Sequence, residues 1–116
     1  MKGRNFDLEQ RTLDFAVQVI SYCKKLQITE FNRALVQQVI RSATSVGANY
    51  SEAAGASSPK DFRNKISLSR KEAKETLYWL QLLSKLENID FQEVITESEE
   101  LCKIFGRSIS TLDNKQ

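Results

Sequence analysis

The chain has 116 residues, 41% hydrophobic and 28% charged, with one proline, four glycines and a formal net charge of +2. A length in the usual range of roughly 100–150 residues holds one core, so residues 1–116 are expected to form a single domain with its core at about 7–112. The composition suits a helical globular protein better than a disordered or strand-rich one, and the small net charge leaves any electrostatic partner to be argued from clustering.

The sequence has no histidine. That removes imidazole acid–base chemistry and a Ser-His-Asp triad, and with two cysteines far apart it leaves no ligand set for zinc. No metal and no cofactor is expected. The opening stretch Met1–Asp7 lacks the apolar run of a secretory signal, and no segment reaches the ~20 apolar residues of a membrane span, so the expected location is the cytoplasm with no membrane partner. In a reducing compartment Cys23 and Cys102, which fall on different helices, read as small apolar core residues rather than a disulfide.

Periodicity predicts a first helix from about Asp7, as N-cap, to Lys25. Leu13, Ala16, Val17, Ile20 and Cys23 form one apolar stripe, and Leu8, Phe15, Val19, Tyr22 and Leu26 a second beside it. Together they are wider than one bundle core requires; either another subunit covers part of this surface or the helix makes two contacts within its own bundle. A second helix is expected from Thr29 or Glu30 to Ala54, ended by Gly55, with Phe31, Leu35, Val39, Ala43, Val46 and Tyr50 inward. Gly47 inside it costs roughly 1 kcal/mol relative to alanine, which close approach of a neighbouring helix would offset.

Ser57 or Ser58 then caps a third helix from Pro59 to about Leu86, with Ile66, Ser69, Ala73, Thr76, Leu80 and Leu83 among its inward positions. Asp90 caps a fourth, in which Phe91, Val94, Ile95, Ser98, Leu101, Cys102, Phe105, Ile109 and Leu112 trace a seam that Gly106 interrupts. Four helices with short connections imply an all-α fold, an antiparallel up-down-up-down four-helix bundle roughly 30 Å long.

Two stretches carry a resemblance: Arg41 to Ala53 (RSATSVGANYSEA) and Lys60 to Leu80 (KDFRNKISLSRKEAKETLYWL). With them the chain resembles, from Asp7 to about Leu112, the bacterial four-helix-bundle proteins encoded in intervening sequences of 23S ribosomal RNA genes. The strongest element is Ser45, Asn49 and Glu52 in a Ser-x-x-x-Asn-x-x-Glu pattern, followed by Glu72-Ala-x-Glu-Thr. The chain departs from the family at Val46-Gly47, where an isoleucine–proline pair is common, and at Tyr50-Ser-Glu-Ala, where Ile-Ala-Glu-Gly is. The resemblance implies a homo-oligomer, a pentamer, with no established enzymatic activity. A similar bundle, the accessory variability determinant of diversity-generating retroelements, binds nucleic acid and a reverse transcriptase through a basic surface.

Two constellations stand out. Ser45, Asn49 and Glu52 on helix two face Ser69, Glu72 and Thr76 on helix three at one-turn spacings, a pattern expected to be a buried polar seam that fixes helix register. A carboxylate metal site or acid–base pair is the alternative reading, without the histidine that di-iron bundles use. On helix three Lys60, Arg63, Ser67, Arg70 and Lys74 share a face, with Lys65 and Lys71 nearby; Arg33 and Arg41 on helix two could contribute, unless Arg41 pairs with a core or interface carboxylate. Such a stripe is a candidate binding surface for RNA or DNA phosphate; alternatively it is a solvated face balanced by Asp61, Glu72 and Glu75, or by Glu97, Glu99 and Glu100 of a neighbouring subunit. With no aromatic interleaved among these cations, recognition of bases is not expected. The functional expectation is a non-enzymatic homo-oligomeric binding or scaffold protein, or else an adaptor that binds a different protein and no nucleic acid.

Overall fold

A computed structural model describes residues 7–115; Met1–Phe6 and Gln116, which open and close the expected domain, lie outside the described residues. The chain folds into four helices, α1 (Leu8–Lys24), α2 (Arg33–Ala54), α3 (Pro59–Glu87) and α4 (Gln92–Asn114), with no strand among the described residues. Each helix packs on the next and α4 returns to α1, so the fold is the expected four-helix bundle. Cross-helix partners run in opposite directions. Asn32, Ser42, Val46 and Glu52 of the α2 side meet Glu87, Thr76, Ser69 and Lys65 of α3, and Arg63 of α3 meets Asp113 near the end of α4. The molecule measures 48 × 29 × 21 Å, longer than expected because α3 alone has 29 residues, about 43 Å at the helical rise.

The helix boundaries follow from local chemistry. Asp61 donates its backbone N–H to Ser58 Oγ at 3.0 Å, and Pro59 occupies the first turn, where it lacks only an N–H that had no intrahelical partner. Asn88 ends α3 in the left-handed region with φ 53°, and the Ile89 N–H reaches back to the Ser84 carbonyl at 3.2 Å. Asp90 accepts from the N–H of Gln92 at 2.8 Å but stands two residues before α4, and Phe91 rather than Asp90 holds the N-cap position. Asp7 sits at the N-cap of α1 without a side-chain capping bond.

Helix α2 begins three to four residues later than periodicity suggests. Thr29 Oγ1 accepts from the N–H of Phe31 and of Asn32, a local turn that competes with the first helical bonds. Asn32 is fully buried there: its Oδ1 accepts from Thr29 N at 2.8 Å, and its Nδ2 donates to the Gln27 carbonyl at 3.0 Å and to Glu87 Oε2 at 3.1 Å. The α1–α2 connection is thereby tied to the end of α3. The same turn throws Phe31 outward to 77% exposure, so this residue is no core position.

Phe15, Val19, Val39, Val46, Ile66, Leu80, Leu83, Leu101 and Phe105 form the centre of the core, with Phe91 closing one end. On α1 the core takes the stripe of Leu8, Phe15, Val19 and Leu26 together with Thr12 and Cys23, whereas Leu13 and Val17 of the other stripe are 58% and 56% exposed. Gly47 receives α1 as expected: a Cβ there would lie 3.0 Å from Thr12 Oγ1 and 3.2 Å from Thr12 Cβ. Both cysteines are free, Cys23 buried and Cys102 half-buried. Burial pushes the Cys23 thiol up to about 11. No helix is long and apolar enough to cross a membrane among the described residues.

Candidate nucleic-acid interface

The polar residues between α2 and α3 separate into two groups. Ser69 Oγ donates to the Val46 carbonyl at 3.0 Å and Thr76 Oγ1 to Ser42 Oγ at 2.8 Å, all four residues being buried. Ser45 bonds back to the Arg41 carbonyl and Asn49 to the Ser45 carbonyl, both within α2. Glu52 is exposed and accepts from Lys65 Nζ at 2.8 Å, while Glu72 and Glu75 both bind Arg41. The cross-helix contact therefore runs through Ser69, Thr76 and the Val46 backbone. Ser42, which sequence reasoning missed, completes it: it lies one helical turn before Val46, the one signal that would have found it. Among the described residues no group of cysteine and acidic side chains is placed to hold a metal ion.

Pairing Glu72 and Glu75 with Arg41 turns these acids of α3 toward α2, as Lys65 also turns, and leaves Arg63 and Arg70 on the side of α4. Arg63 is answered there, by a two-pronged bond to Asp113 with Nε at 2.6 Å and Nη2 at 3.0 Å; its guanidinium holds the Asp113 carboxyl below the usual carboxylate range. Lys65 is answered by Glu52. Lys60, Arg70, Lys71 and Lys74 are exposed and have no acidic partner within ion-pair distance among the described residues. Like charges one turn apart, as at Arg70 and Lys74, repel weakly, so the uncompensated run is not itself a source of helix stability.

Helix α4 extends this surface. Arg70, Lys103 and Arg107 border a shallow groove between α3 and α4 with Cys102, Gly106 and Ser110 at its floor and rim. Arg70 lies over Gly106: its Nε is 3.3 Å from where a Cβ would stand, so glycine lets the guanidinium lie close against α4. Cys102 feels both charges. Burial raises its thiol, and the nearby Arg70 and Lys74 pull in the opposite direction. Lys103 has a loose contact of 3.6 Å with Glu100, and Arg107 has no acidic partner among the described residues. Sequence reasoning took the basic face from α3 with Arg33 and Arg41 of α2 as contributors and missed α4; Arg41 pairs instead with Glu72 and Glu75, while Lys103 and Arg107 lie four residues apart on α4, a spacing that would have flagged them.

The crest of α3 also carries an aromatic. Tyr78, one turn beyond Lys74, is 59% exposed, and its ring meets Trp79 edge-on with centroids 5.2 Å apart and planes at 71°. Sequence reasoning saw no aromatic interleaved with the cations because it ended the stripe at Lys74. Continued for about three more turns, the same face runs through Tyr78 to Lys85.

On the opposite side of the bundle, Arg11 crosses from α1 to α4 and donates to both oxygens of Glu97 at 2.6 and 2.8 Å, which keeps the guanidinium charged more firmly than usual. Tyr22 stacks obliquely on Phe91 and donates to Glu93. The exposed Leu13 borders a separate groove with Ala16 of α1 and Thr44, Gly47 and Ala48 of α2.

Known proteins share this architecture. A crystal structure of a protein of unknown function from the S23 ribosomal protein family of Bacteroides thetaiotaomicron superposes with a TM-score of 0.79, is 36% identical, and matches over 87% of this chain and 96% of its own. No curated protein matches the sequence. Residues 4–109 match the 23S rRNA-intervening sequence proteins, and with four packed helices and a structural relative of 36% identity the chain belongs to that family.

Proposed function

We propose that the chain is a non-enzymatic, self-associating scaffold of the bacterial cytoplasm that binds RNA or DNA through phosphate contacts on the α3–α4 face. The observation that carries this reading is the uncompensated set Arg70, Lys71, Lys74 and Arg107, beside which Glu72 and Glu75 are engaged by Arg41. Each phosphate neutralised releases counterions, so a few cations per subunit give usable affinity when several copies present them together. Exposed Leu13 and Val17 support self-association, in the ring of five copies that the family resemblance implies.

The test is fluorescence anisotropy with labelled RNA and DNA over a series of salt concentrations. Affinity should fall linearly on a log–log plot, and Arg70→Ala, Lys74→Ala and Arg107→Ala together should flatten the slope by about two to three. Affinity for neither nucleic acid at low salt would overturn the reading. The exposed Leu13 and Val17 face favours a second reading, a protein–protein adaptor with no nucleic-acid ligand; a pull-down that recovers a stoichiometric protein and no nucleic acid would select it.

A further inference from the structure

We propose that the crest of α3 is a track for a single strand, on which Tyr78 stacks with an unpaired base while Lys71, Lys74 and Lys85 hold the flanking phosphates. The inference rests on the nucleic-acid reading above and names the form bound, an open single strand. Lys71, Tyr78 and Lys85 are spaced by seven residues, two turns each, so they stand nearly in line along the exposed side of the helix at intervals of about 10 Å. Lys74 lies between the first two, one turn before the ring. All four side chains are exposed, and none of the three lysines has an acidic partner among the described residues.

The ring is braced rather than loose. Trp79 meets Tyr78 edge-on, the Trp79 indole N–H points to Glu75 Oε1 at 3.3 Å, and Glu75 is in turn held by Arg41. The Tyr78 hydroxyl has no hydrogen-bond partner among the described residues, so its polar end stays in water while much of the ring remains uncovered. An exposed ring flanked by cations is what a base in an open strand meets through its π-face, in a sequence-tolerant way. Duplex DNA or RNA keeps its base faces inside the stack and would leave Tyr78 without a counterpart, although its phosphates would still attract the lysines.

The experiment compares a labelled unstructured single strand with the duplex of the same sequence, on the full chain and on Tyr78→Ala, Tyr78→Phe and Lys71→Ala/Lys85→Ala. Trp79, the only tryptophan, reports locally through its emission. Tyr78→Ala should weaken the single strand about tenfold and leave duplex affinity and the salt slope unchanged, Tyr78→Phe should restore binding, and single-strand titration should shift Trp79 emission. The lysine pair should lower the single-strand salt slope by about 1.4 while leaving the effect of Tyr78→Ala in place. If both nucleic acids bind but Tyr78→Ala affects neither, or both equally, the track is wrong and the broader reading stands. Loss of oligomer in Tyr78→Ala at unchanged affinity would overturn it too, by assigning the ring to a contact between copies. Should neither nucleic acid bind the native chain, both proposals fall together.

Discussion

Gly47→Ala tests the closest helix contact in the bundle. Alanine in the middle of α2 recovers about 1 kcal/mol of helix propensity. The new Cβ would meet Thr12 Oγ1 at 3.0 Å and Thr12 Cβ at 3.2 Å, tighter than ordinary carbon contacts. Thr12 cannot simply turn away: it is buried, and its hydroxyl donates to the Leu8 carbonyl at 2.7 Å and lies 3.1 Å from that of Glu9. The remaining response is a shift of α1, and overpacking of this kind costs about 1–3 kcal/mol. The net expectation is a loss of about 0–2 kcal/mol. The sharper quantity is the coupling with Thr12→Ala, which removes the nearer atom. Urea unfolding of the two single variants and the double variant should give a favourable interaction of about 1 kcal/mol, because alanine at position 47 is better tolerated once the Thr12 hydroxyl is gone. Strict additivity, with Gly47→Ala stabilising by its full propensity gain in both backgrounds, would refute the close approach.

Three further outcomes are expected. Arg11 and Glu97, 13% and 22% exposed, form a bidentate pair across α1 and α4, so a cycle of Arg11→Ala and Glu97→Ala should show coupling of about 1–2 kcal/mol in urea unfolding; a value near zero would mean the pair is solvent-screened. The Cys23 thiol, pushed up to about 11 by burial, stays protonated in the fold at pH values where an unfolded cysteine ionises. Its stabilising contribution is therefore full below about pH 8.5 and lost as pH rises through about 11, and Cys23→Ala should flatten the alkaline limb of a stability–pH profile; an unchanged limb would contradict this. Asp113→Asn releases Arg63 from its bidentate partner, and nucleic-acid affinity should rise a few-fold with a steeper salt slope; a fall in affinity would show that Arg63 belongs to a fixed structural contact.

The bundle was legible because helical periodicity and turn chemistry agree. Ser58-Pro59 states where α3 starts, and a glycine inside an apolar helix correctly implied a neighbour at Gly47. The start of α2 was less legible because Thr29 and Asn32 bond to the backbone locally, which a count of apolar positions does not register. The two stripes of α1 are equally apolar, and only the packing shows that Phe15 and Val19 face inward while Leu13 and Val17 do not. The α4 part of the basic face was not legible, since proximity of Arg70 to Gly106 and Arg107 depends on how α3 and α4 are aligned, and alignment is a tertiary fact. The placement of Glu72 followed the same limit: spacing gives a shared face, and only the identity of the neighbour, Arg41, decides which way the charge turns.

The arrangement of α1 has a consequence for local opening. This helix leans chiefly on α2, and it touches α4 at few points, among them Arg11 with Glu97 and Tyr22 with Phe91 and Glu93. Detaching it keeps the α2–α3 and α3–α4 contacts but uncovers the core surface that Phe15 and Val19 fill, so its amides should exchange hydrogen through a partial opening below the free energy of global unfolding. The same helix carries Leu13 and Val17, the apolar surface available to another copy. If copies meet there, the least anchored helix of the single chain becomes protected in proportion to protein concentration, and the slowest-exchanging unit grows from three helices to four as subunits assemble.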